Sequence, residues 1–165
     1  MAETHKEQLA NLRQKIENVK FGMLTTVNPD QTLSSRPMTA QQIDAQGQMW
    51  FFTSDKNAFT KDLSRQPEVN ITFSNPDDSL YVSVSGRATL VHNRDKAEEL
   101  WNPMAGAWFP GGLDDPDLAL INLDIVTAEY WDSSSSKMTQ LFAIAKGILT
   151  GQRPTDVGEH VEMKL

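Results

Sequence analysis

Phe21-Gly22-Met23-Leu24-Thr25-Thr26-Val27 runs into Asn28-Pro29-Asp30-Gln31 and returns as Leu33-Ser34-Ser35-Arg36-Pro37-Met38-Thr39. The first seven residues favour extended backbone, the next four are turn formers, and the last seven read as the returning strand. Pro37 lacks an amide donor, so that strand is expected at an edge or a bulge. Outward from this hairpin the pattern stays β. Gln46-Gly47 leads into Gln48-Met49-Trp50-Phe51-Phe52-Thr53, apolar on both faces and so expected to be buried on both. Val69, Ile71 and Phe73 alternate with polar residues, Asn75-Pro76-Asp77-Asp78 turns the chain, and Leu80–Val91 forms a long strand that Gly86 bends. Leu118–Trp131 is the last strand expected.

Helices flank this β region. Thr4-x-x-Glu7 is a capping box, and Leu9, Leu12, Ile16 and Val19 follow as one helical stripe that stops near Lys20. Lys56–Arg65 and Asp95–Trp101 read as short helices. Met138, Leu141, Phe142, Ala145, Ile148 and Leu149 recur with helical period after four serines, and Gly151 closes that helix. Residues 102–117 form a Gly- and Pro-rich loop long enough to suggest function. Gln152–Leu165 is polar and expected to be loose. The reading is one α+β domain over residues 1–165: a small barrel of six antiparallel strands with short helices.

Composition narrows the function. The 165 residues contain no cysteine, which excludes disulfides, thiol chemistry and cysteine-ligated metals. A net charge of -7 speaks against a nucleic-acid or anionic-membrane footprint. Apolar runs are far shorter than the roughly 20 residues that span a bilayer, and the charged first segment is no secretory leader. A cytoplasmic protein is expected. His5, His92 and His160 show no ligand spacing, and Asp114-Asp115-Pro116-Asp117 lacks the alternation of a calcium loop. No metal site is expected.

Chemistry concentrates in two neighbouring strands. In Ser34-Ser35-Arg36-Pro37-Met38-Thr39, alternation places Arg36 and Met38 on one face, and a guanidinium there is suited to forking a phosphate. In Trp50-Phe51-Phe52-Thr53-Ser54-Asp55-Lys56-Asn57, an aromatic strand ends in hydroxyls and opens a helix, a composition that favours anions. Arg36, Lys56, Lys61 and Arg65, with Lys20 just before them, gather positive charge in an otherwise acidic chain.

The order of these segments resembles the flavin-binding split-barrel superfamily related to pyridoxamine 5'-phosphate oxidase, and most closely its general-stress-protein branch. The resemblance covers about residues 6–148. It rests on Gly22-Met23-Leu24-Thr25-Thr26, Ser35-Arg36-Pro37-Met38, Trp50-Phe51-Phe52-Thr53, Val69-Asn70-Ile71-Thr72-Phe73, Val84-Ser85-Gly86, Trp108-Phe109-Pro110-Gly111-Gly112 and Glu129-Tyr130-Trp131-Asp132. It implies a Greek-key split barrel and a homodimer with FMN, or FAD, at each of two interfacial sites. It also implies that Arg36 and the Thr53-Ser54 segment hold the phosphate, while Ser35, Pro37, Met38, Thr39 and Phe52 line the cofactor. Relatives usually carry a lysine where this chain has Phe59 and a serine where it has Asn57, so Lys56 or Lys61 is expected to stand in. Trp108 and Trp131 are candidates to cover the flavin ring. Family oxidases of pyridoxine phosphate carry an arginine- and histidine-containing C-terminal segment. Here Arg153 and His160 are read as isolated in a polar tail, so the implied function is a flavin-dependent redox protein of unidentified substrate, or a non-catalytic flavin-binding stress module, and not a true pyridoxamine 5'-phosphate oxidase.

Overall fold

The structure is a computed structural model that describes residues 4–133, 137–151 and 158–165. It is α+β. The capping box forms as read: the Thr4 hydroxyl accepts from the Glu7 amide and the Glu7 carboxylate accepts from the Thr4 amide. These bonds hold the Glu7 carboxyl below its usual range. The helix they open, α1 (His5–Glu17), buries Leu9, Leu12 and Ile16.

The hairpin is β1 (Phe21–Val27) and β2 (Leu33–Thr39), paired from Val27↔Leu33 to Phe21↔Thr39. Next come β3 (Gln42–Ile43), β4 (Gln48–Ser54), α2 (Ala58–Asp62), β5 (Glu68–Asn75) and β6 (Leu80–Val91). The chain continues through α3 (Arg94–Leu100), α4 (Pro103–Trp108), β7 (Leu118–Asp132), α5 (Lys137–Thr150) and β8 (Glu159–Lys164). The strands form one antiparallel sheet in the order β2-β1-β5-β6-β7-β4-β3, with β8 also on β7. The outermost strands, β2 and β3, are joined by Ala40-Gln41, so the sheet curls until its two edges follow each other along the chain. Pro37 lies on an edge strand, as its missing donor requires.

Eight strands replace the six expected. One addition is the two-residue β3. The other is β8, in the segment expected to be loose. Met163 is 2% exposed and Val161 packs against the core, while His160, Glu162 and Lys164 point outward. The stretch looks polar because only every second residue faces the core. Met163→Ala is expected to cost about 2–5 kcal/mol, the range for truncating a buried methionine. A urea midpoint that does not move would return β8 to the status of a loose tail.

The long loop differs too. Asn102 accepts from the Met104 and Ala105 amides, Pro103 takes the first helical position, and α4 results. A short 3-10 turn, Gly112–Asp114, follows.

β4 is covered on both faces by its own chain. Met49 and Phe51 enter the main core with Leu24, Ile71, Phe73, Val84 and Leu123. Trp50 packs with Ala97 and Leu120 in a second cluster, against which Phe52, Leu100 and Leu113 also lie. Its two-sided apolarity therefore needs no second subunit. At Ser85/Gly86 the β6–β7 register shifts. Beside this bulge the far edge of β7 changes partner: the Ile125 amide donates to the Gly47 carbonyl, and the Val126 carbonyl accepts from the Leu165 amide. β4 covers residues 118–124 of β7 and β8 covers 127–132.

Candidate functional site

The register of the hairpin builds the site. Arg36 stands opposite Leu24, with Met38 opposite Gly22, so both share the inward face that buries Leu24. Arg36 Nη1 donates to the Thr26 hydroxyl at 2.7 Å and reaches the Leu24 carbonyl at 3.5 Å. Thr26 is 2% exposed, so the arginine also satisfies a buried hydroxyl. The Phe59 ring, from α2, lies 4.2 Å from the centre of the guanidinium. Partial burial lowers the Arg36 pKa, yet a guanidinium stays charged at any ordinary pH. Among the described residues, the Arg36 Nε and Nη2 donors have no protein acceptor. One edge of the fork is thus used by the fold and the other is open.

The second segment joins the first through α2. Asn57 precedes that helix and donates to the Thr53 hydroxyl at 3.4 Å, and the Thr60 hydroxyl donates to the Asn57 carbonyl at 2.7 Å. Phe59, which stacks on Arg36, and Asn57, which bonds Thr53, thus lie two residues apart at the start of α2. α2 has only five residues, too short for the strong helix-terminal field that its composition suggests. The Ser54 hydroxyl accepts from the Lys56 amide at 3.3 Å.

Other expected members lie elsewhere. Lys56 Nζ pairs with Asp117 at 2.7 Å, which raises its pKa with help from Asp55 and Asp115. Lys61 is exposed. The Ser35 side chain is on the opposite face of β2, bonded to Thr25 at 2.7 Å, and Pro37 and Thr39 share that alternation. Met38 packs partly buried against the main core. Phe52 meets Trp101 edge-on at 5.8 Å and Phe109 at 6.5 Å. Trp108 is 79% exposed at the end of α4.

Trp131 sits on the outer face of the sheet, stacked at 5.1 Å on His160, whose Nε2 is 2.6 Å from Glu129. His160 is thus not isolated in a tail, as the sequence suggested, while Arg153 falls outside the described residues. Sequence reasoning also missed Thr26 and the stack on Phe59. The hairpin register was the available signal for Thr26, since Thr26 stands opposite Ser34, two residues from Arg36.

Comparisons with known proteins agree on one family. The family model described as pyridoxamine 5'-phosphate oxidase like matches residues 7–155. Protein bli-3 of Neurospora crassa is 30% identical over 159 residues, covering 90% of this chain and 76% of that protein. The crystal structure of a candidate general stress protein 26 from Jannaschia sp. CCS1 superposes with a TM-score of 0.76 at 28% identity, covering 96% of this chain and 99% of that one. The general stress FMN/FAD binding protein of Xanthomonas citri superposes with a TM-score of 0.69 at 34% identity, covering 79% of this chain and 92% of that one. With most of its length matched, the chain belongs to the pyridoxamine 5'-phosphate oxidase-like family.

Proposed function

We propose that the chain binds a flavin nucleotide, FMN or FAD, with a phosphate on the open edge of Arg36. The observation that carries this reading is the divided guanidinium, anchored through Nη1 and with Nε and Nη2 unclaimed among the described residues. Two parallel donors match phosphate oxygens bidentately, and Phe59, the residue stacked on this arginine, follows the Thr53–Asn57 segment by two residues. The 34%-identical Xanthomonas relative, named for FMN/FAD binding, supports the same ligand class. When bound, the flavin supplies the hydride and electron chemistry, and the protein orients and shields it. Purified protein titrated with FMN should quench flavin fluorescence; an unquenched titration removes the reading.

The fuller form of the proposal is a cytoplasmic, flavin-dependent redox protein of the stress response. A non-catalytic flavin module is the second reading, favoured by one observation. Among the described residues, no carboxylate or histidine makes a hydrogen bond or ion pair with Arg36. Anaerobic bleaching of bound flavin by NADH or NADPH supports the redox form, and persistent yellow colour supports the module. Neither form is expected to turn over pyridoxine or pyridoxamine 5'-phosphate at more than a few per minute, where typical enzymes run at roughly 1–1000 per second.

The proposal includes a homodimer. Phe21, Met23, Leu33, Tyr81, Val126 and Trp131 are exposed on the strands, around a groove of about 560 Å³ lined by Thr25, Leu33, Asn70, Ser85 and Val126. Exposed apolar side chains gathered on a sheet face mark an interaction surface, and the occupant proposed for it is a second copy of this chain. Light scattering should report a dimer at micromolar concentration; a monomer there counts against the interfacial site.

A further inference from the structure

Resting on the flavin reading above, we propose that Thr26 is a positioning residue for the flavin phosphate. Its hydroxyl fixes the direction in which Arg36 presents its two open donors. Arg36 belongs to β2, an outermost strand, and the residue after it, Pro37, has no amide to pair. Thr26 belongs to β1, which is paired on both sides, and stands opposite Ser34 on β2 and Val69 on β5. Its side chain lies on the face that buries Leu24 and is itself 2% exposed. A β-branched side chain is stiff about its first torsion, so the hydroxyl is a fixed point inside the sheet.

Arg36 Nη1 meets that point at 2.7 Å, whereas the Leu24 carbonyl lies at 3.5 Å, the far limit of a hydrogen bond. The Phe59 ring, 4.2 Å from the guanidinium centre, restrains the same group on its face. A planar fork held at one nitrogen and on one face has little freedom left, so Nε and Nη2 keep one heading. Ordering a long side chain at the moment of binding weakens affinity by about two- to tenfold. Here the fold orders Arg36 beforehand. Thr26 is too buried to meet a ligand itself and acts through the arginine.

The test is fluorescence titration of the full chain with FMN and with riboflavin, which lacks the phosphate. The readout is the ratio of the two affinities, because a variant that only loosens the fold weakens both flavins together. Thr26→Val keeps the shape and removes the hydroxyl, and should lower the preference for FMN by about two- to tenfold. Thr26→Ser keeps the hydroxyl and removes a buried methyl, so it should recover most of the preference while its urea midpoint falls. In an Arg36→Ala background Thr26→Val should change the ratio no further, since the residue it positions is gone. Thr26→Ala takes the place of Thr26→Val if circular dichroism shows that chain unfolded. A wild-type ratio in Thr26→Val, beside a lowered one in Arg36→Ala, overturns the positioning role and leaves the flavin reading standing. A ratio that falls equally in Thr26→Val and Thr26→Ser, or that Thr26→Val lowers even without Arg36, overturns it too. Failure of the wild-type chain to bind either flavin removes the flavin reading and this inference with it.

Discussion

Arg36→Ala is expected to lower FMN affinity roughly ten- to a hundredfold. Hydrogen bonds to charged groups contribute on the order of 1.5–3 kcal/mol, and the substitution removes the open edge of the fork together with its charge. Arg36→Lys should recover only part of the loss, because an ammonium cannot reproduce two parallel donors. The alanine variant should also lose stability, by about 1–3 kcal/mol, since the Thr26 hydroxyl is left buried without the Nη1 donor. Riboflavin, which has no phosphate, separates the two effects: its affinity should change little while that of FMN falls. Unchanged FMN affinity in a folded variant takes Arg36 out of the site.

Gly86→Ala should be among the most damaging single substitutions in the chain. A Cβ at Gly86 would collide with the Asp124 carbonyl oxygen and come within 2.9 Å of the Asp124 carbonyl carbon and of Leu123 Cδ2. The obstacle is backbone, which no rotamer change relieves. The substitution falls at the β6–β7 bulge beside the change of partner on β7. Loss of about 3 kcal/mol is expected, the upper end of the usual range for overpacking. Flavin binding, if it survives, should weaken only as far as the folded fraction falls. A urea midpoint within error of wild type would mean that the strands separate here at little cost.

The elements themselves were readable in order. The capping box and stripe of α1, the hairpin turn, and the alternation of β5 and β6 are local patterns, and local backbone preference is enough to produce them. Pro37 marked an edge strand for the same reason, because a missing amide is a property of the residue itself. Arg36 and Met38 shared a face because strand alternation depends on spacing alone.

What the tertiary structure decided was partnership. β8 is half polar and contains a single fully buried side chain, so its pairing with β7 comes from an edge that β4 leaves open, a fact distant in sequence. The two-sided burial of β4 was visible, but its covering by α3 and the 110s segment within one chain was not. At the site, the sequence put Arg36 first for the phosphate, with the Thr53-Ser54 segment beside it, and left open whether Lys56 or Lys61 joined them. Packing divided them: Asp117 holds Lys56, α2 leaves Lys61 exposed, and Phe59 and Thr26 hold Arg36 with one edge open. Composition can gather charges along a chain, but which of them stays available depends on contacts between residues far apart in sequence, and those exist only after the sheet has curled.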